Sequence, residues 1–172
     1  MKRRRMHSVK AAIVLPAVLL LAGCGGSSVK VVDQPPGSPP THARSAPPPA
    51  WAETEHDSHW LAYSNYCWSA SGSAQCGDFV APSCADRRIP KMALQQGETI
   101  RFHLGFDPTK VSVTEGGSSE TLPPGRDPIV RARGTNGAMT LFVHAPGGSA
   151  TYAACLQFMR QSNNLNIHPS QQ

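Results

Sequence analysis

From residue 54 to residue 160 the chain is written in short stretches where apolar and polar residues alternate, each cut off by Gly, Pro, Ser or Asn. Thr99-Ile100-Arg101-Phe102-His103-Leu104 has every second residue apolar, and so does Lys110-Val111-Ser112-Val113-Thr114, which then meets Gly116-Gly117. A period of two puts alternate side chains on opposite faces of a strand, so each stretch predicts a half-buried strand and the glycine pair a turn. Residues 129–133 and 138–144 flank Thr135-Asn136-Gly137, and an Asn-Gly pair between apolar runs predicts a hairpin. Residues 151–159 form a last strand. A first strand, rich in Tyr and Trp, spans 61–69 after a short helical turn over 53–59. There is no internal repeat and no long amphipathic helix.

About seven strands at this spacing predict an all-β domain, an antiparallel immunoglobulin-like sandwich over residues 54–160. Residues 24–53 read differently. Pro35-Pro36, Pro39-Pro40 and Pro47-Pro48-Pro49 are spaced by small polar residues, and only Val29, Val31 and Val32 add apolar bulk before residue 50. Such a composition buries too little surface to fold and predicts a disordered tether. Proline clusters favour extended polyproline II, so residues 25–50 would reach roughly 80 Å when fully extended. This is either a spacer that lifts the domain off the headgroups or a stalk that crosses the cell wall. Residues 161–172 are polar and read as a flexible tail.

The first 23 residues predict a targeting segment. Lys2, Arg3, Arg4, Arg5 and Lys10 precede an apolar run of roughly ten residues, short of the ~20 a membrane-spanning helix needs. The run ends in Leu21-Ala22-Gly23-Cys24, which resembles the lipobox of bacterial lipoproteins. The resemblance implies cleavage between Gly23 and Cys24 and lipidation of the Cys24 thiol. The mature chain would then be held to the membrane through its N-terminal lipid, in the cell envelope on the extracytoplasmic side. It also removes the basic charge. Five of the sixteen Lys and Arg lie in the signal and none of the eleven acids does, so the mature chain is formally neutral. Charge therefore gives no footing for nucleic acid.

Four cysteines remain: Cys67, Cys76, Cys84 and Cys155. An even number outside the cytoplasm predicts two disulfides, whereas the gaps between them are too wide for a zinc knuckle. Three pairings are possible. Ser69-Ala70-Ser71-Gly72-Ser73-Ala74 can fold back as a hairpin that sets Cys67 opposite Cys76, which leaves Cys84 for Cys155. Tyr66-Cys67-Trp68, Cys76-Gly77-Asp78 and the run from Gly97 to Phe102 resemble small envelope lipoproteins with immunoglobulin-like sandwiches, which carry this first pair. Antibody-type domains place a Tyr two residues before the second core cysteine. Here Tyr152 stands three before Cys155, so the resemblance implies architecture alone.

No catalytic motif is present, and no catalytic residue, metal ligand or cofactor is assigned. His56 and His59, near Glu53, Glu55 and Asp57, would share one helical face and offer a surface metal site, although solvated histidines explain them as well. Asp78, Asp86, Glu98 and Asp107 would carry a hydrolase only if two of them shared a cleft with shifted pKa values. The reading that fits best is a binding or structural module of the envelope whose partner is an envelope protein or a glycan. Trp51, Trp60 and Tyr66 would supply its contact surface, because aromatic residues dominate interface energetics. Tyr63 and Trp68 are expected in the core. The rival readings are a lipoprotein binding a metal or small ligand, and an envelope hydrolase without a recognisable motif.

Overall fold

The computed structural model describes residues 34–40, 45–70, 72–79 and 81–159. The expected signal segment, the expected lipobox with Gly23 and Cys24, residues 24–33 and 41–44 of the expected tether, and the 161–172 tail lie outside the described residues. Every regular element among the described residues is a strand, and there are eleven rather than about seven. They are β1 (Ala50–Glu53), β2 (Ser58–Trp60), β3 (Ala62–Ala70), β4 (Ser73–Asp78), β5 (Lys91–Leu94), β6 (Thr99–Leu104), β7 (Lys110–Glu115), β8 (Ser118–Leu122), β9 (Ile129–Arg131), β10 (Gly137–Ala145) and β11 (Gly148–Phe158).

Two sheets hold them. The smaller runs β2-β1-β6-β9, and the larger runs β4-β3-β11-β10-β7-β8 with β5 beside the end of β11. All pairings are antiparallel except β5 with β11. The alternation in the sequence decides which side chains fill the space between the sheets. Ile100, Phe102 and Leu104 of β6 face Val111 and Val113 of β7 and Met139, Leu141 and Val143 of β10, all in one buried cluster. The intervening Ser112, Thr114 and Thr140 stay on the outer side. β7 and β8 meet through Gly116-Gly117, both at positive φ (55° and 79°), which a two-residue hairpin turn demands and side chains resist.

Three expectations fail here, each for a physical reason. Residues 53–59 form the β1–β2 hairpin and not a helical turn, closed by the Asp57 carbonyl accepting from the Thr54 N–H at 2.8 Å. Residues 50–53, assigned by composition to the tether, are a strand paired with both β2 and β6, so the fold begins before residue 54. The Asn136-Gly137 pair does not join a hairpin: β9 pairs with β6 in the small sheet, while β10 belongs to the large one. The buried Glu115 carboxylate accepts the backbone N–H groups of Arg133 and Thr135, and Asn136 Oδ1 accepts the Phe158 N–H at 2.7 Å. Those bonds hold the chain on its way across from one sheet to the other.

The Cys67–Cys76 and Cys84–Cys155 pairings are present. Cys67 faces Cys76 across the β3–β4 ladder on the outer side of the large sheet. Cys155 also points outward, and residues 84–89 lie over it, burying Cys155 with Ile89 and Ala153. Neither bridge crosses the core. Two structural disulfides are the mark of a protein that folds outside the reducing cytoplasm.

Candidate functional site

The three residues expected on a contact surface are not brought together. Trp51 and Trp60 are register partners on β1 and β2 in the small sheet, while Tyr66 belongs to β3 in the large one. Trp51 is only 8 % exposed and lies flat on His103, with ring centroids 3.7 Å apart and planes within 16°. His103 Nδ1 sits 2.7 Å from Asp127, and its buried Nε2 has no hydrogen-bond partner, with Glu53 Oε1 at 3.4 Å. Trp51 therefore offers no open face for stacking on a sugar or a partner, which corrects the expectation for that residue.

A β-bulge explains where Tyr66 goes. The ladder between β11 and β3 shifts between Thr151 and Tyr152, so Tyr152 faces Tyr63 and Ala150 faces Tyr66. The extra residue, Ser64, puts Tyr63 and Tyr66 on the same inner side although they are three apart, where a strict period of two would oppose them. Their rings meet edge to face at 5.8 Å, and Tyr66 also touches the exposed Phe79. Tyr63 packs on Tyr152 at 5.4 Å. Burial pushes both the Tyr63 and the Tyr152 hydroxyls well above the ordinary phenol range, with each further raised by a neighbouring tyrosine.

Both buried hydroxyls find acceptors in the proline-rich segment. Tyr63 donates to the Pro47 carbonyl at 2.8 Å, and Tyr152 donates to the Pro48 carbonyl at 2.7 Å. Ala46 and Pro47 are buried, and Ser45 Oγ donates to the Gln75 side-chain carbonyl on β4. Farther back along the chain, Trp60 Nε1 donates to the Gly37 carbonyl at 3.4 Å, and Pro35 is buried. Pro40 helps line a cleft of about 220 Å³ with Tyr63, Ser64, Phe79 and the ion-paired Asp86 and Arg88. The Arg88 side chain and backbone N–H hold the Asp86 carboxyl down to about 2.

No known protein family, curated protein or solved structure matches this chain. The reading therefore rests on the residues themselves. Trp60, Tyr63 and Tyr152 supply polar donors on apolar rings; the two tyrosines hold proline carbonyls, where there is no N–H to enter a ladder, and Trp60 holds that of Gly37. Of these three the sequence pointed to Trp60 alone. The usable signal for the other two was their need for an acceptor once buried, beside a proline run that can only accept.

The remaining candidates are engaged elsewhere. His59 Nε2 lies 2.7 Å from Asp57, His56 contacts Gln95, and no group of three His, Cys, Asp or Glu among the described residues is arranged to hold a metal. The buried Glu98 carboxylate accepts the backbone N–H groups of Glu55 and Gln95, both at 2.7 Å, tying the β1–β2 turn to the β5–β6 turn. Asp107 is paired with Arg126 and lies exposed. Asp78 ends β4 opposite Asn65.

Proposed function

We propose that this protein is a lipid-anchored binding or structural module of the bacterial envelope, carried outside the cytoplasm by the lipid on Cys24. The observation that carries the reading is a small all-β domain closed by two disulfides, joined by a proline-rich segment to residues 21–24, which resemble a lipobox. Oxidised cysteines need an oxidising compartment, and the lipobox supplies both export and the anchor. The partner on this reading is an envelope protein or a glycan.

The pairing pattern favours an immunoglobulin-type core within residues 91–158. β6 with β9 makes one side, and β8-β7-β10-β11 makes the other. β5 runs parallel to the last strand, as the first strand of such domains does when it crosses to the opposite sheet. On this correspondence Tyr152 and Cys155 lie on the last strand and not the one before it, which accounts for their departure from antibody-type spacing. β1 to β4 are then additions that extend both sheets.

Replacing Cys24 with Ala tests the anchor. The variant is expected to lack the lipid and to remain as unprocessed precursor in the membrane fraction. Normal processing of Cys24→Ala would overturn the reading.

A further inference from the structure

We propose that the proline-rich segment is a strap docked on its own domain, which holds that domain at the membrane surface. The contacts follow one another in chain order. Gly37 meets Trp60, Pro40 lines the same cleft as Tyr63 and Phe79, and Pro47 and Pro48 accept from Tyr63 and Tyr152 before the chain becomes β1. The successive carbonyls of Pro47 and Pro48, in a run of three residues without N–H groups, are met by donors on aromatic rings, which is how proline-rich ligands are recognised by separate domains. Here the ligand is covalently present. Its effective concentration is set by the chain, so the track is filled in cis.

The consequence is a change of reach, and it rests on the reading of Cys24 as the lipidated residue. A free tether over residues 25–50 would extend roughly 80 Å. With residues 34–40 and 45–49 docked, only the ten residue steps from Cys24 to Gln34 separate lipid and domain, and their fully extended length is at most roughly 35 Å. The occupant facing the Trp60 edge of the small sheet is then the phospholipid headgroup layer. Trp60 is half-buried there, its N–H given to Gly37 and its ring partly exposed, an aromatic side chain of the sort that settles at a membrane interface. A partner must lie close to that surface.

Energy transfer tests this on the lipidated protein in vesicles of phosphatidylethanolamine and phosphatidylglycerol bearing a headgroup-linked acceptor. Donor dye is placed through Ser58→Cys on β2 or Ser119→Cys on β8, at opposite edges of the fold. Transfer from position 58 is expected to exceed that from 119 at least twofold. A Gly-Ser insertion between residues 33 and 34, which leaves every described contact intact, is expected to lower both. Tyr63→Phe combined with Tyr152→Phe is expected to weaken transfer at 58 by freeing the strap. Equal, weak transfer from both positions, unmoved by the insertion, would overturn the proposal. The anchor is checked separately: protein that fails to co-sediment with vesicles refutes the Cys24 reading and the membrane geometry with it. Thiol labelling of Ala46→Cys then judges the strap alone: Ala46 is buried, so slow labelling supports docking and labelling as fast as a free thiol refutes it.

Discussion

Replacing both members of the Cys84–Cys155 bridge with alanine is expected to lower the melting temperature more than the same change at Cys67–Cys76. The sequence separations are 71 and 9 residues. Loop-closure entropy then assigns about 4.4 kcal/mol to the long bridge and about 2.7 kcal/mol to the short one. The surrounding structure widens the gap. Cys67 and Cys76 are exposed and stand in a six-pair ladder between β3 and β4 that survives their loss. Residues 81–89 belong to no strand, and beyond the bridge they are held by the packing of Ile89 on Ala153 and Cys155. Without the bridge that segment can lift away and expose the outer face of β11. For a domain of about 100 residues each kcal/mol moves the melting temperature by about 4–8 °C, so the two double variants should differ by about 7–14 °C. Scanning calorimetry under non-oxidising but non-reducing conditions reads the difference directly. Equal melting temperatures, or a lower one for the Cys67/Cys76 pair, would refute the argument that the long bridge carries more of the stability.

Gly148→Ala is expected to cost more than about 3 kcal/mol in a urea melt, because a Cβ there would lie 2.1 Å from the Cys67 carbonyl oxygen at a φ of +135°; a loss below about 1 kcal/mol would show that the β3–β11 ladder gives way easily. Glu115→Ala should cost about 2–3 kcal/mol by orphaning the Arg133 and Thr135 N–H groups, with Glu115→Gln recovering part of it, as chemical denaturation of the two variants would show. The raised Tyr63 and Tyr152 hydroxyls predict stability that is full below the unfolded phenol value near 10 and lost as pH rises beyond it, because the unfolded chain releases protons the folded one keeps. For Tyr152 the slope should be about 1.4 kcal/mol per pH unit, and Tyr152→Phe should flatten the curve; an unchanged alkaline slope in that variant would contradict the assignment.

What the sequence made legible was local. The alternation in β6 and β7, the glycine pair between β7 and β8, and the small-residue run that folds Cys67 onto Cys76 each depend on a few neighbouring residues, and each formed as expected. One strong signal misled because distant atoms overrode it. Asn136-Gly137 is a hairpin pair by composition. Its side chain is nevertheless taken by Phe158, and the buried Glu115 fixes the residues before it, so the chain crosses between sheets. No pattern announces that a carboxylate 20 residues away will cap those N–H groups. The bulge at Ser64 was equally hidden, and with it the shared face of Tyr63 and Tyr66.

The proline segment failed differently, through an incomplete account of what a proline can do. Counting apolar bulk treats residues 24–53 as unable to bury surface, yet among the described residues burial at Ala46 and Pro47 is completed from the other side by aromatic rings already fixed in the sheets. Each proline lacks the N–H that a ladder would require, but it keeps a carbonyl, and Tyr63 and Tyr152 need acceptors once their rings are buried. The segment and the tyrosines satisfy one another, and neither need is visible from its own stretch of sequence. The same exchange removes the inner aromatic residues from any outside partner's reach. The large apolar side chains left exposed among the described residues are Phe79, Ile129 and Met159, on three different elements or loops. Any partner of this domain would therefore find, among the described residues, single apolar side chains set among polar strands. An interface of that kind is held by hydrogen bonds and shape, with little area to gain from hydrophobic burial.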